Sequence, residues 1–287
     1  MNHNKKKVVI TGAAGFIGSQ LVRKLREYSN YRVIPVSRRQ VQNFVKVDNY
    51  ENAPAGDIII HLAESNLNNL NVNKSSTLHE ENNLLKLLSR NCDLFIYFSS
   101  GVVYGDSSVE IKTENSKIDP KSEYAIQKLK HEVYVKSFTS TVVIRPSNVY
   151  GKGMSTSNVF HRILDQIHME DSLILESLSP VRDFIHVSDV VSGVIRILHT
   201  FQERGKLSKT YNLSTGIQSS ILDLVKVALL AAGQEKRKFL ELNPASTSSH
   251  LVLSNDLARK ELNWAPKIDL FRGVSDLLRK TSGEKIE

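Results

Sequence analysis

Short runs of consecutive apolar residues recur through the first half of the chain. They lie at residues 8–10 (VVI), 31–36 (YRVIPV), 44–47 (FVKV), 57–61 (DIIIH), 94–98 (LFIYF) and 141–144 (TVVI). Between them the apolar positions spread to helical spacing, as at Phe16, Ile17, Leu21, Val22 and Leu25, and again over 78–88 and 122–137. Continuous apolar runs are strands buried on both faces, and their alternation with helices predicts an α/β fold, a doubly wound parallel sheet with helices on each side. Ligands of such sheets gather outside the carboxyl ends of the strands. One rim should therefore carry Gly12 after the first strand, Ser37-Arg38-Arg39 after the second and Asp48 after the third. Leu62-Ala63 should follow the fourth and Ser99-Ser100-Gly101 the fifth.

Beyond Gly151 the rhythm loosens. Helices are expected over 159–168, 189–199, 221–232, 257–262 and 270–278, with extended segments at 172–175, 183–187 and 211–213. Ser188 or Asp189 would cap the second of these helices, Gly233 would end the third, and residues 281–287 should fray. The division expected is a sheet domain over 1–151, with part of the middle region returning to it, and a smaller lobe, mainly over 152–287, closing over the rim.

The turn after the first strand changes this picture from fold to chemistry. Gly12, Gly15 and Gly18 join that strand to the first helix. A helix N-terminus offers outward N–H groups and a favourable dipole, which together suit an anion. Glycines there serve the tight turn, the close approach of a pyrophosphate, and the packing of helix on strand. An ordinary strand-to-helix turn would need some of these glycines too, but strand and helix in the right order favour a dinucleotide. The formal net charge of +8 reads blandly as solubility and more sharply as an anionic partner. Its basic residues are scattered, so no nucleic-acid footprint emerges. No apolar run reaches bilayer length, no apolar leader core precedes the glycine turn, and one cysteine, Cys92, excludes an internal disulfide. A cytoplasmic protein with no membrane segment and no metal site is the expectation.

Tyr124 and Lys128 stand one helical turn apart in the 122–137 segment. A phenol is a poor general base at its ordinary pKa of about 10, but a neighbouring ammonium favours the phenolate. Such a pair can exchange a proton with a carbinol or carbonyl oxygen while hydride moves. Ser100, delivered by the fifth strand to the same rim, can hydrogen-bond that oxygen. An exposed Tyr–Lys contact is the plain alternative.

Taken together, Gly12-x-x-Gly15-Phe16-Ile17-Gly18, Ser99-Ser100-Gly101-Val102-Val103-Tyr104-Gly105, Tyr124-x-x-x-Lys128, the run from Ile144 to Gly151 (IRPSNVYG) and the run from Arg182 to Val190 (RDFIHVSDV) stand in a familiar order. The chain resembles the extended short-chain dehydrogenase/reductases, in their NAD(P)-dependent nucleotide-sugar epimerase/dehydratase group, over nearly its whole length. The resemblance implies a Rossmann-type sheet, a C-terminal substrate lobe and a catalytic Ser100, Tyr124 and Lys128. It implies a cofactor cleft built from Gly12, Gly15, Phe16, Ile17, Gly18, Ser37, Arg38, Asp48, Leu62 and Ala63, with Lys128 also holding the nicotinamide ribose beside Tyr124. Asn148, Asn158 and Arg182 would contact a nucleotide-sugar, Arg182 at its diphosphate, and the family leaves room for a homodimer. His61, within a strand, reads as a packed histidine.

Departures from the family pattern refine the activity. Dehydratases resemble one another in an Asp-Glu pair after the catalytic Ser/Thr, where this chain has Gly101-Val102. That speaks against elimination of water. NAD-preferring members end the second strand in Asp; Ser37 followed by Arg38 and Arg39 suits a 2′-phosphate instead, so NADP(H) is favoured over NAD(H). Glu64 replaces a small residue near the cleft. The expected activity is a 4-ketoreductase using NADPH on a nucleotide-linked deoxysugar, serving surface polysaccharide or deoxysugar synthesis. The alternatives are an NAD-dependent 4-epimerase and a non-catalytic relative that binds a dinucleotide or RNA.

Overall fold

A computed structural model describes residues 5–63, 74–138, 140–169, 171–244 and 249–283. Six strands arise in turn from the apolar runs: β1 (Lys6–Thr11), β2 (Tyr31–Ser37), β3 (Val45–Lys46), β4 (Ile58–His61), β5 (Leu94–Phe98) and β6 (Thr141–Pro146). They are followed by β7 (Asn148–Tyr150), β8 (Leu173–Leu175), β9 (Val181–Arg182), β10 (Phe184–His186), β11 (Lys209–Leu213), β12 (Ser219–Ser220), β13 (Phe239–Glu241) and β14 (His250–Leu251). A seven-stranded sheet takes the order β11-β6-β5-β4-β1-β2-β3, and its pairings are all parallel. Every residue of β4, β5 and β6 is buried, which is why those segments carry no polar alternation.

The helices are α1 (Phe16–Leu25), α2 (Lys74–Leu88), α3 (Glu123–Val135), α4 (Val159–Ile167), α5 (Val187–Arg204), α6 (Ile221–Ala231), α7 (Asp256–Leu262) and α8 (Leu270–Gly283). Successive residues of β1 show how the sheet is covered. Val8 and Ile10 pack with Leu21, Leu25, Val190 and Val194 of α1 and α5, while Val9 packs with Leu85, Leu88 and Val135 of α2 and α3. The period of two along a strand thus feeds two separate helix layers. This is the doubly wound, Rossmann-type sheet that the apolar runs predicted. A further apolar cluster joins Phe160, Ile163, Leu173, Leu224, Val225, Val274 and Leu278, and so ties α4, β8, α6 and α8 together. Chain from the middle region returns to the sheet through β11, which pairs with β6 (Tyr211 opposite Ile144). Among the described residues no helix is long and apolar enough to cross a membrane.

Two local expectations need correction. Helix α5 starts at Val187, capped by the His186 ring accepting from Ser188 N–H at 3.2 Å, rather than at Ser188 or Asp189. Asp189 cannot cap because its buried carboxylate takes the N–H groups of Lys267 and Ile268, both at 3.0 Å. Helix α8 continues through residues 281–283, where fraying was expected; the last four residues, like Glu64, lie outside the described segments.

Candidate active site

The glycine turn is shaped by close approaches. Gly12 has φ +70°, and a Cβ there would lie 2.7 Å from Ala63 N and 2.8 Å from the Leu62 carbonyl carbon. A Cβ on Gly18 would meet Gly12 O at 2.4 Å and Ala13 Cα at 2.9 Å. The first glycine therefore allows both the left-handed turn and contact with the end of β4, and the third allows α1 to sit on the turn. Gly15 is the N-cap of α1, without a side-chain cap and with no acidic residue in the first turn. The side chains of Phe16 and Ile17 pack into apolar clusters on either side, leaving that helix end to be met through its backbone. This cradle fits the pyrophosphate of a dinucleotide.

A cavity of about 620 Å³ runs along the rim from Arg38, Asp48, Tyr50 and Glu51 past His61 and Ala63 to Tyr124, Gln127 and Lys128. It is large enough for much of a cofactor-sized ligand. Arg38 lies 5.6 Å from the Tyr50 ring centroid, on the cavity wall. Ser37 does not line it: its buried hydroxyl accepts the Arg39 N–H at 3.0 Å. Leu62 packs into the core while Ala63 faces the cavity.

Helix α3 carries the Tyr124–Lys128 pair singled out in the sequence. Ser122 caps it by accepting Ala125 N–H at 3.1 Å, so Tyr124 stands in the first turn, 37% exposed and open to a ligand. Lys128, one turn on, is buried; its Nζ donates to Phe98 O at 2.5 Å and lies 5.8 Å from the Tyr124 ring centroid and 5.1 Å from that of Tyr97. The ammonium is thus fixed to the end of β5 beside the phenol, as the helical spacing required. Ser100 leaves β5 one residue beyond Ser99, and its Oγ accepts Val102 N–H at 3.4 Å as the cap of a short 3-10 turn (Gly101–Tyr104). A Cβ on Gly101 would come within 2.8 Å of Leu253 Cδ1 and 3.1 Å of Pro146 O, so the turn packs closely against Leu253 and the end of β6.

Residues not singled out in the sequence also reach the cavity. Tyr97 OH meets His131 Nδ1 at 3.2 Å, and His131 Nε2 lies 3.0 Å from Glu81 Oε2, which also takes a hydrogen bond from Gln127. His131 follows Lys128 at i+3 on one helix face, the spacing that could have revealed it. His61 is buried, with Nδ1 2.8 Å from Thr11 Oγ1, and burial, then the charge of Lys128, pushes its pKa down to about 3. It stays neutral and packed, as read from its strand.

The expected nucleotide-sugar contacts sit elsewhere. Asn148, Asn158 and Arg182 do not line the cavity beside Tyr124. Asn158 caps α4, accepting Phe160 N–H at 2.9 Å; Asn148 lies in β7, opposite Phe184. Arg182 is in β9, between β12 and β14, with Asp106 Oδ2 at 3.5 Å.

Comparison with known proteins gives the family and supports the fold. GDP-6-deoxy-D-talose 4-dehydrogenase of Aggregatibacter actinomycetemcomitans is 26% identical over 77% of this chain and 78% of its own. A variant of UDP-glucuronic acid 4-epimerase from Bacillus cereus, solved with UDP-4-deoxy-4-fluoro-glucuronic acid and NAD, superposes with TM-score 0.81 at 23% identity, covering 96% of this chain and 99% of that one. RMD from Pseudomonas aeruginosa, complexed with NADPH, gives TM-score 0.79 at 23% identity over 96% and 98% of the two chains. The profile of the NAD dependent epimerase/dehydratase family matches residues 8–214. With more than half its length so matched, the chain belongs to that family and is an enzyme of the extended short-chain dehydrogenase/reductase type.

Proposed function

We propose that this enzyme reduces the C4 carbonyl of a nucleotide-linked sugar with NADPH. The observation that carries the reading is the pairing of exposed Tyr124 with buried Lys128 on one cavity wall that also reaches Arg38. A nicotinamide dinucleotide would supply the hydride, held by the turn around Gly12, Gly15 and Gly18. The Tyr124 phenol gives its proton to the carbonyl oxygen as that oxygen gains charge. Lys128 stabilises the phenolate left behind, and the Ser100 hydroxyl donates to the same oxygen. Arg38 answers a 2′-phosphate. Gly101 and Val102, which bring neither an acid nor a base next to Ser100, support transfer at C4 without loss of water. In this reading residues 1–151 hold the cofactor, and Asn148, Asn158 and Arg182 hold the nucleotide-sugar against the lobe.

A second reading, 4-epimerisation with NAD, draws support from Asp48 and Glu51, which share the cavity end with Arg38 and would oppose a 2′-phosphate. One experiment separates the two. Purified enzyme is given a nucleotide-linked 4-keto-6-deoxyhexose with NADPH or NADH, and separately UDP-glucose with NAD, and the products are followed by NMR. Stoichiometric loss of NADPH with formation of the 4-hydroxy sugar is the expected result. Interconversion of UDP-glucose and UDP-galactose without net cofactor turnover would replace the reductase reading with the epimerase one.

A further inference from the structure

Arg182 is braced in a way that leaves its charge only partly answered. Its Nη1 donates to the backbone oxygens of Val181 at 2.8 Å and Ser249 at 3.0 Å. Its Nη2 donates to Ser249 Oγ at 2.7 Å and reaches Asp106 Oδ2 only at 3.5 Å. Three of these four partners are neutral, and the single carboxylate is the most distant. Burial lowers the Arg182 guanidinium from its usual pKa, and Asp106 offsets that in part. A withdrawn guanidinium with a weak counter-charge favours a further anion.

The surroundings point the same way. His250, on the neighbouring strand β14, is buried, and among the described residues its Nδ1 has no partner, while its Nε2 lies 3.2 Å from Gln218 Oε1. The backbone of Asp106 is fixed independently of its side chain: its carbonyl accepts His250 N–H at 2.8 Å, directly after the positive-φ turn at Gly105. Asp106 is also the more exposed of the pair, its side chain 38% open against 20% for Arg182, so their contact can be displaced from solvent.

We propose that Asp106 is a displaceable latch on Arg182. Its carboxylate occupies the guanidinium in the free enzyme and gives way to the diphosphate of an incoming nucleotide-sugar. The proposal rests on the reading that Arg182 contacts that diphosphate. Ser249 and the Val181 carbonyl keep the guanidinium in place after the exchange, so Asp106 contributes competition rather than positioning. Two adjacent charged phosphates can displace the carboxylate where a dilute single anion cannot, which would reserve Arg182 for diphosphate-bearing substrates.

Calorimetric titration of the full chain with UDP, and separately with inorganic pyrophosphate, tests this. Asp106→Asn keeps the shape and removes the charge. It should tighten both ligands by roughly threefold to tenfold at low salt, the effect of one charge acting over several ångströms in a water-like medium. The gain should shrink as salt rises. Ser249→Ala, which removes a brace, should act in the opposite direction and weaken both. If Asp106→Asn leaves binding unchanged or weakens it as Ser249→Ala does, Asp106 is an ordinary brace and the latch is overturned. Tightening of UDP alone would place Asp106 at the nucleoside and overturn it equally. Arg182→Gln is the separate control: unchanged UDP affinity there would remove the diphosphate reading of Arg182 itself, whereas lost affinity with no gain in Asp106→Asn would remove only the latch.

Discussion

Acid lability should report directly on His61. The residue is buried, its ring stacks near Phe95 and Tyr97 at centroid distances of 6.3 and 6.2 Å, and its Nδ1 is paired with Thr11. Burial first, and Lys128 next, hold its pKa at about 3, against an ordinary value of 6.5. Between those two values the unfolded chain binds a proton that the native protein refuses. Unfolding therefore takes up protons, and stability falls as pH drops below about 6.5. Each pH unit in that window is worth roughly 1.4 kcal/mol, so acidification from about pH 7.5 to about pH 5 should cost roughly 2 kcal/mol through His61 alone. An asparagine can still pair with the Thr11 hydroxyl and does not titrate. His61→Asn will have its own stability offset, but that offset is independent of pH, so the informative quantity is the pH slope. Urea unfolding of both proteins at the two pH values should show the wild type losing about 2 kcal/mol more than the variant. Equal losses would mean that His61 takes its proton in the native state, and would reopen it as an acid facing the cavity.

Other expectations follow from the same geometry. Tyr124→Phe should lower kcat by roughly 10²–10⁴ with cofactor affinity little changed, and Lys128→Ala should damage both, as read by steady-state kinetics and cofactor titration. Arg38→Ala should narrow the preference for NADPH over NADH; equal affinities in the unaltered enzyme would remove the basis for that preference. Glu132→Gln should cost roughly 3–5 kcal/mol, seen as a lowered melting temperature, because it leaves the buried Arg145 guanidinium without its charge partner.

Much of the sheet was legible because its strands are buried on both faces. A continuous apolar run such as Leu94–Phe98 has no competing interpretation once helical spacing resumes beside it. After Gly151 the extended segments at 172–175 and 183–187 did appear as β8 and β10, but the two-residue strands were not legible in the same way. Val181–Arg182 and His250–Leu251 are too short to show a period, and their pairing is decided by tertiary context. The same limit applies to the site. Tyr124 and Lys128 are local to one helix and could be read from spacing, whereas the approach of Tyr97, His131 and Glu81 depends on how β5, α3 and α2 pack. Arg38 was read together with Ser37, yet only the arginine reaches the cavity, because the serine hydroxyl satisfies the turn that follows it.

Helix α3 also shows why a short motif can understate what holds a site together. Tyr124, Lys128 and Glu132 recur at one-turn intervals, so the stripe that presents the phenol and the ammonium continues into a buried carboxylate. Glu132 accepts Arg145 Nε at 2.9 Å and Arg145 Nη2 at 2.5 Å, and it accepts the Ser99 hydroxyl. Arg145 in turn donates at 2.8 Å to the OH of Tyr104, the last residue of the turn that Ser100 caps. One carboxylate therefore ties α3 to the ends of β5 and β6 on either side of the serine. Asp183 does comparable work in the run from Arg182 to Val190, accepting Ser147 Oγ and the Thr215 hydroxyl and the N–H groups of Thr215 and Gly216. Polar residues that look functional because they recur beside reactive ones divide into two kinds here. Those left open to the rim, such as Tyr124 and Arg38, border the cavity; those fully buried, such as Glu132 and Asp183, tie neighbouring elements together.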